Sequence, residues 1–198
     1  MPVIPNADLP APPPESPAPA QTARIDAPAR QQQVAELRLR ADRGDTTGAL
    51  AQLDKLVSES PDDVELLCER ATLLTAMSRF DRADADVRRA LRLDERHPGP
   101  LLAAGLLACK RARWRDAIEP LRAVVALTPD DASAHYYLGE AYNHIDELPP
   151  ALAAFERATA LDPRNWRALK GVGMVLDRLG RREEATEAHR RAREIRAS

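Results

Sequence analysis

The chain lacks most of what marks a disulfide-stapled, membrane-spanning or nucleic-acid-gripping protein. Only two of its 198 residues are cysteines, Cys68 and Cys109. Two are too few for a disulfide framework, and their spacing is not that of metal ligands. Both lie in Leu/Ala-rich sequence, where a free thiol behaves as a small hydrophobe. Aromatic residues make up 4%, so the core has to be built from closely packed Leu, Val and Ala. A surplus of one charge sign is also missing. The net charge of −2 argues against a general nucleic-acid binder and against a polybasic membrane anchor. No uncharged apolar run reaches transmembrane length. Residues 1–21 lack the basic-then-apolar order of a secretory signal, so the default compartment is the cytoplasm.

Catalytic and cofactor motifs are absent as well. Gly171-Val-Gly173 begins like a dinucleotide fingerprint, but it lacks the third glycine and sits in a helical pattern rather than after a strand. Gly173 is read instead as a helix-contact residue. Arg43-Gly44-Asp45 is read as a turn between two helices, not as an adhesion tripeptide. The histidines His97, His135, His144 and His189 have no Cys or carboxylate partners at ligand spacing. There is no Gly-x-Ser-x-Gly elbow, Walker loop or zinc-protease helix. The expectation is a non-enzyme with no catalytic residues, no cofactor and no metal.

What the sequence does contain is a proline-rich start and a strict period. Nine of the 17 prolines fall in the first 28 residues, around PAPPPESPAPAQ. Proline lacks the backbone donor and fixes φ, so residues 1–29 are expected to be a disordered tail with polyproline-II character. Beyond it, Ala49, Ala83, Ala117, Ala151 and Ala185 stand 34 residues apart. Four residues after each come Leu53, Val87, Leu121, Phe155 and His189, and twelve before each come Leu37, Ala71, Gly105, Gly139 and Gly173. Apolar positions three and four apart give two amphipathic helices per unit. The small residues let paired helices approach while Leu, Val and Phe fill the gaps. Pro149, Pro150, Pro98 and Pro100 suit helix first turns. Pro120 does not, and predicts a helix that starts late or bends. The charged stretch 183–196, with His189 where its counterparts are apolar, reads as a water-facing cap.

Small residues at fixed offsets, a Leu-Gly-x-x-Tyr core at Leu138, Gly139 and Tyr142, and closing prolines at Pro61, Pro129 and Pro163 resemble the tetratricopeptide repeat. The resemblance covers residues 30–197. It implies an all-α fold, a right-handed α-solenoid of antiparallel helix pairs, with units near 30–63, 64–97, 98–131, 132–165 and 166–198. It departs from the family pattern at Gln33, Glu36 and Arg40 in the first unit, and at Glu95 where a closing proline is expected.

In arrays of this family the first helix of each hairpin lines a concave groove. Carried onto this sequence, that places Thr72, Leu102, Leu106, Cys109, Tyr136, Glu140, Asn143, Lys170 and Met174 in the groove. The stretch PLLAAGLLAC at 100–109 is apolar on all sides, and Leu102 and Leu106 at i,i+4 are expected to point together into it. The carboxylate clamp of chaperone-binding members is missing, with Val34, Arg38, Glu65 and Leu102 in that neighbourhood. The expected partner is therefore another protein, a peptide or helical segment with apolar anchors beside a Tyr136/Asn143 hydrogen-bonding patch, and not nucleic acid or membrane. A scaffold or adaptor role leads, with a holding chaperone or a regulatory subunit of a separate enzyme as alternatives.

Overall fold

The computed structural model describes residues 27–197, and the part of the expected tail at residues 1–26 lies outside them. The described residues form ten helices and no strand. They run α1 (Ala27–Asp42), α2 (Thr46–Glu59), α3 (Val64–Ala76), α4 (Phe80–Leu93), α5 (Pro98–Lys110), α6 (Trp114–Leu127), α7 (Ala132–His144), α8 (Leu148–Leu161), α9 (Trp166–Arg178) and α10 (Arg182–Ala197). Each odd helix packs on the even helix after it, and each even helix packs on the odd helix that follows. Odd helices also bring their backbones against the next odd helix, whereas even helices reach one another through long side chains, as Arg82 on α4 does to Asp54 on α2 at 2.9 Å. The odd row is therefore the tighter one, and the stack curves with that row inside. This is the α-solenoid of antiparallel helix pairs that the period implies.

The helix ends repeat with the sequence. Asp63, His97, Asp131 and Asn165, 34 residues apart, cap α3, α5, α7 and α9. Their side chains accept from the N–H groups of Leu66, Gly99, Ala134 and Ala168 at 2.9–3.1 Å. These bonds satisfy donors that a helix start leaves orphaned. At the other end of each odd helix, Gly44, Ser78, Ala112, Asp146 and Gly180 adopt positive φ between 56° and 99°. The N–H after each returns to the carbonyl five residues back, as Arg113 does to Ala108 at 2.9 Å. This closes the helix in a Schellman turn. Ala112 at φ 56° holds a conformation that disfavours a side chain. Ala112→Gly is expected to stabilise the protein by about 0.5–1 kcal/mol, after the entropy that glycine adds to the unfolded chain. A thermal melt should move up by a few degrees, and an unchanged or lower midpoint would show that the turn holds alanine without strain.

The small-residue columns meet as read. Ala49, Ala83, Ala117 and Ala151 are 0% exposed and Ala185 is 1% exposed. A Cβ added to Gly105 would lie 2.5 Å from Leu121, one on Gly139 would lie 2.7 Å from Phe155, and one on Gly173 would lie 2.6 Å from His189. Gly171 and Gly173 both sit inside α9, on a helix and not in a phosphate-binding turn. Pro120 departs from one expectation. The helix that contains it does not start late, since α6 opens at Trp114 in step with its counterparts and carries the proline inside. Without a proline N–H, the carbonyl of Asp116 loses its helical partner at that point.

Candidate functional site

The inner face of the odd row is the candidate site. Thr72 on α3 and Lys170 on α9 are exposed, while Leu102, Leu106, Tyr136, Glu140, Asn143 and Met174 are half-buried. Cys109 is not available in the same way. It is 5% exposed, and its thiol faces the Tyr137 carbonyl at 3.9 Å. The first turns of α7 cover it, so it supports the floor and does not line the opening. Leu102 also packs partly onto the cluster of Cys109, Ala117, Leu121 and Leu138, together with Tyr137. Leu106 is the more open of the apolar pair in that respect.

The polar side of the expected patch is partly used up within the chain. Arg178 donates from Nη1 to Asn143 Oδ1 at 2.7 Å and to the Asn143 carbonyl at 2.9 Å, and it also pairs with Asp146. Asn143 thus keeps only its amide donors for a partner. Tyr136 stacks edge-on with Tyr137, ring centres 5.0 Å apart, and leans on Phe155 at 6.0 Å. Tyr137 and Arg178 belong to this site and have no counterpart in the residues expected from sequence. An adjacent tyrosine was visible as Tyr136-Tyr137, but the arginine comes from the next unit.

Burial sets the electrostatics. It raises the Glu140 carboxyl above its ordinary value, against the pull of His144, Lys110 and Lys170. It pushes the Tyr136 hydroxyl up to about 12, with the Glu140 charge adding to it, and raises Tyr137. It pushes both the Cys68 and Cys109 thiols up to about 12, so neither is a nucleophile at neutral pH. At the start of the array a cleft of about 200 Å³ opens between α1, α2 and α3 beside Thr72. There Arg38 is held by Glu69, with Nε 2.6 Å from Oε2, while Val34 is buried. His135 turns Nε2 to the Pro129 carbonyl at 3.0 Å. Among the described residues no three His, Cys, Asp or Glu side chains gather around a metal-sized space, and no helix is long and apolar enough to cross a membrane. The face offers apolar contact, a tyrosine hydroxyl and a few charges, which are the means of recognition between proteins.

Comparison with known proteins gives a consistent set. The family profile described as tetratricopeptide repeat matches residues 102–149 and 148–198. The solved structure of MamA, residues 41 to the end, from Desulfovibrio magneticus RS-1 is 25% identical, with a TM-score of 0.67 over 84% of this chain and 94% of that one. YrrB, described as a TPR protein with an unusual peptide-binding site, is 21% identical with a TM-score of 0.61, covering 83% and 85% of the two chains. Superkiller protein 3 of Schizosaccharomyces pombe is 29% identical over 87 residues. That segment is 44% of this chain and 6% of the relative, so the chain spans a small fraction of the length of the curated relatives it matches.

Proposed function

The chain belongs to the tetratricopeptide repeat family, and on that premise we propose that it is an adaptor whose inner groove holds a peptide or helix of another protein. The family is one of non-catalytic protein-interaction scaffolds. The observation that carries the finer reading is the half-buried apolar strip of Leu102, Leu106, Tyr136 and Met174 on the inner helix row. These side chains have carbon surface to bury and no neighbouring helix that finishes the task. Removing such surface from water is favourable by about 25 cal/mol per Å². The polar rim beside it, Glu140, Lys170 and the remaining donors of Asn143, supplies orientation. YrrB, with a peptide-binding site on the same kind of fold, lends support by analogy.

Leu106→Glu tests this with little risk to the core, since Leu106 is half-exposed and outside the main packing clusters. Amphipathic peptides with apolar residues at i, i+3, i+4 and i+7 would be selected on the wild-type chain and then titrated against both proteins. Selected peptides are expected to bind the variant about tenfold or more weakly, at equal helicity and melting temperature. Equal binding by both proteins would remove the groove from consideration, and a failure to select any peptide would remove the apolar-anchor reading.

A further inference from the structure

A second recognition surface lies at the far end of the array, between α9 and α10. Here a cleft of about 270 Å³ is lined by Trp166, Lys170, His189, Ala192, Arg193 and Arg196. One period earlier the same positions hold Ala132, Tyr136, Phe155, Ala158, Thr159 and Asp162. There the surface is sealed by α9, whose Gly171 lets Phe155 approach. Among the described residues no helix covers the equivalent face of the last unit, and its chemistry has changed from mostly apolar, with Asp162 at its end, to cationic.

A solubilising cap needs polarity, but of either sign. Elsewhere α10 has mixed charge and is paired within itself through Arg190–Glu187 and Arg190–Glu194, and with the preceding residue through Arg181–Glu184, at 2.5–2.6 Å. In the cleft the sign is single. Lys170, Arg193, Arg196 and the neighbouring Arg167 make no ion pair among the described residues, and Lys170 acts on Glu140 only at a distance. Asp177 is the carboxylate at its edge, and it is engaged by His189 Nε2 at 3.0 Å. The helix dipole explains Arg193 and Arg196 in the last turns of α10. It does not explain Arg167 in the first turn of α9, where the dipole disfavours a cation. Local helix stability therefore does not account for the cluster.

From this geometry we propose that the α9–α10 cleft binds a carboxylate-rich peptide segment of a partner protein, seated by Lys170, Arg193 and Arg196 around Trp166. The guanidinium carbons of Arg167 and Arg196 lie 5.1 and 5.2 Å from the Trp166 ring centre. Stacked in this way, a guanidinium keeps its N–H edge free for a carboxylate. The same stacking already occupies the ring that a nucleobase would need. The site shares Lys170 with the rim of the groove of the preceding proposal, but Trp166, Arg193 and Arg196 lie outside that groove, and the site stands without it.

The test uses the full chain carrying Trp114→Phe, so that Trp166 is the one emitting indole. Hexaglutamate is titrated against it, against Lys170→Gln/Arg193→Gln/Arg196→Gln, and against Arg122→Gln/Arg182→Gln/Arg191→Gln. The last variant removes the same number of exposed cations elsewhere. The expected result is a saturable change in Trp166 emission, weakened about tenfold or more in the cleft variant and unchanged in the control, at equal melting temperatures. Equal weakening in both variants would reduce the effect to net charge and overturn the site. So would silence at millimolar peptide, or a single-stranded oligonucleotide of equal charge displacing the peptide more tightly than the peptide itself binds.

Discussion

Phe155→Ala is expected to cost the array about 3–5 kcal/mol, the range for deleting a buried aromatic ring. Phe155 is 0% exposed and is the largest of the fully buried side chains. Its ring sits between two helices that meet it with glycine, Gly139 on α7 and Gly171 on α9. A Cβ on either glycine would fall 2.7 Å from the ring. No side chain at those two positions can relax into the space that the truncation leaves, so the cavity stays open. The same contact makes Gly139→Ala destabilising in the wild type, by about 1–3 kcal/mol of overpacking. In the Phe155→Ala background the added methyl has room, and Gly139→Ala should restore part of the loss. A double-mutant cycle measured by urea unfolding should therefore show favourable coupling of about 1 kcal/mol or more. Simple addition of the two losses would mean that the glycine column is not there to admit the ring.

The same pair shows why much of this fold was legible without coordinates. Gly105 with Leu121, Gly139 with Phe155, and Gly173 with His189 are each 16 residues apart, and the period places both members before any contact is known. A repeated unit has to make the same packing several times, so each structural requirement leaves a column of residues. Requirements met once leave none. Asn143 was read as a hydrogen-bonding group open to a partner because Arg178 is 35 residues on, and the basic column of Lys110, His144 and Arg178 does not show which of its members reaches back. Cys109 shares a helical face with Leu102, and both were assigned to the groove on that ground. Helical period assigns a direction, however, and not the depth to which α7 covers the final turn of α5. The positive-φ turns fall between these cases. Gly44 and Gly180 declare themselves and Asp146 is of a type that tolerates the conformation, but Ser78 and Ala112 have little preference for it, and only the spacing connects them. The cationic cleft was visible in the columns as the change from Phe155 to His189 and from Tyr136 to Lys170. It was read as a cap, because sequence alone does not show that the cations converge on Trp166.

One further interaction escaped the columns altogether, and its loss should be nearly as damaging as that of Phe155. Asp86→Ala is expected to destabilise the protein by about 2–4 kcal/mol. Arg70 on α3 donates from Nε and Nη2 to both oxygens of Asp86 on α4, at 2.8 and 2.7 Å, and from Nη1 to Asp54 on α2 at 3.0 Å. One guanidinium thus ties together three successive helices across the boundary between the first two hairpins. The Asp86 side chain is 9% exposed and that of Arg70 17%, so both charges have largely left water. The hydrogen bonds to Asp86, chief among the causes, hold the Arg70 pKa above its ordinary value, and the group stays charged throughout the working pH range. Removing Asp86 leaves that charge desolvated with only the more exposed Asp54, which already shares an oxygen with Arg82 at 2.9 Å. Asp54→Ala should be much milder, about 1 kcal/mol or less, because its loss is screened by solvent and the bidentate pair survives. Removing both buried charges together, as Arg70→Met/Asp86→Leu, should be close to neutral, because no unpaired charge remains. Urea midpoints for the three variants order these costs. If Asp86→Ala and Asp54→Ala fell equally, the pair would be an ordinary surface contact; if the double replacement fell as far as Asp86→Ala, the helices would be held by the ion pair itself and not by the carbon packing around it.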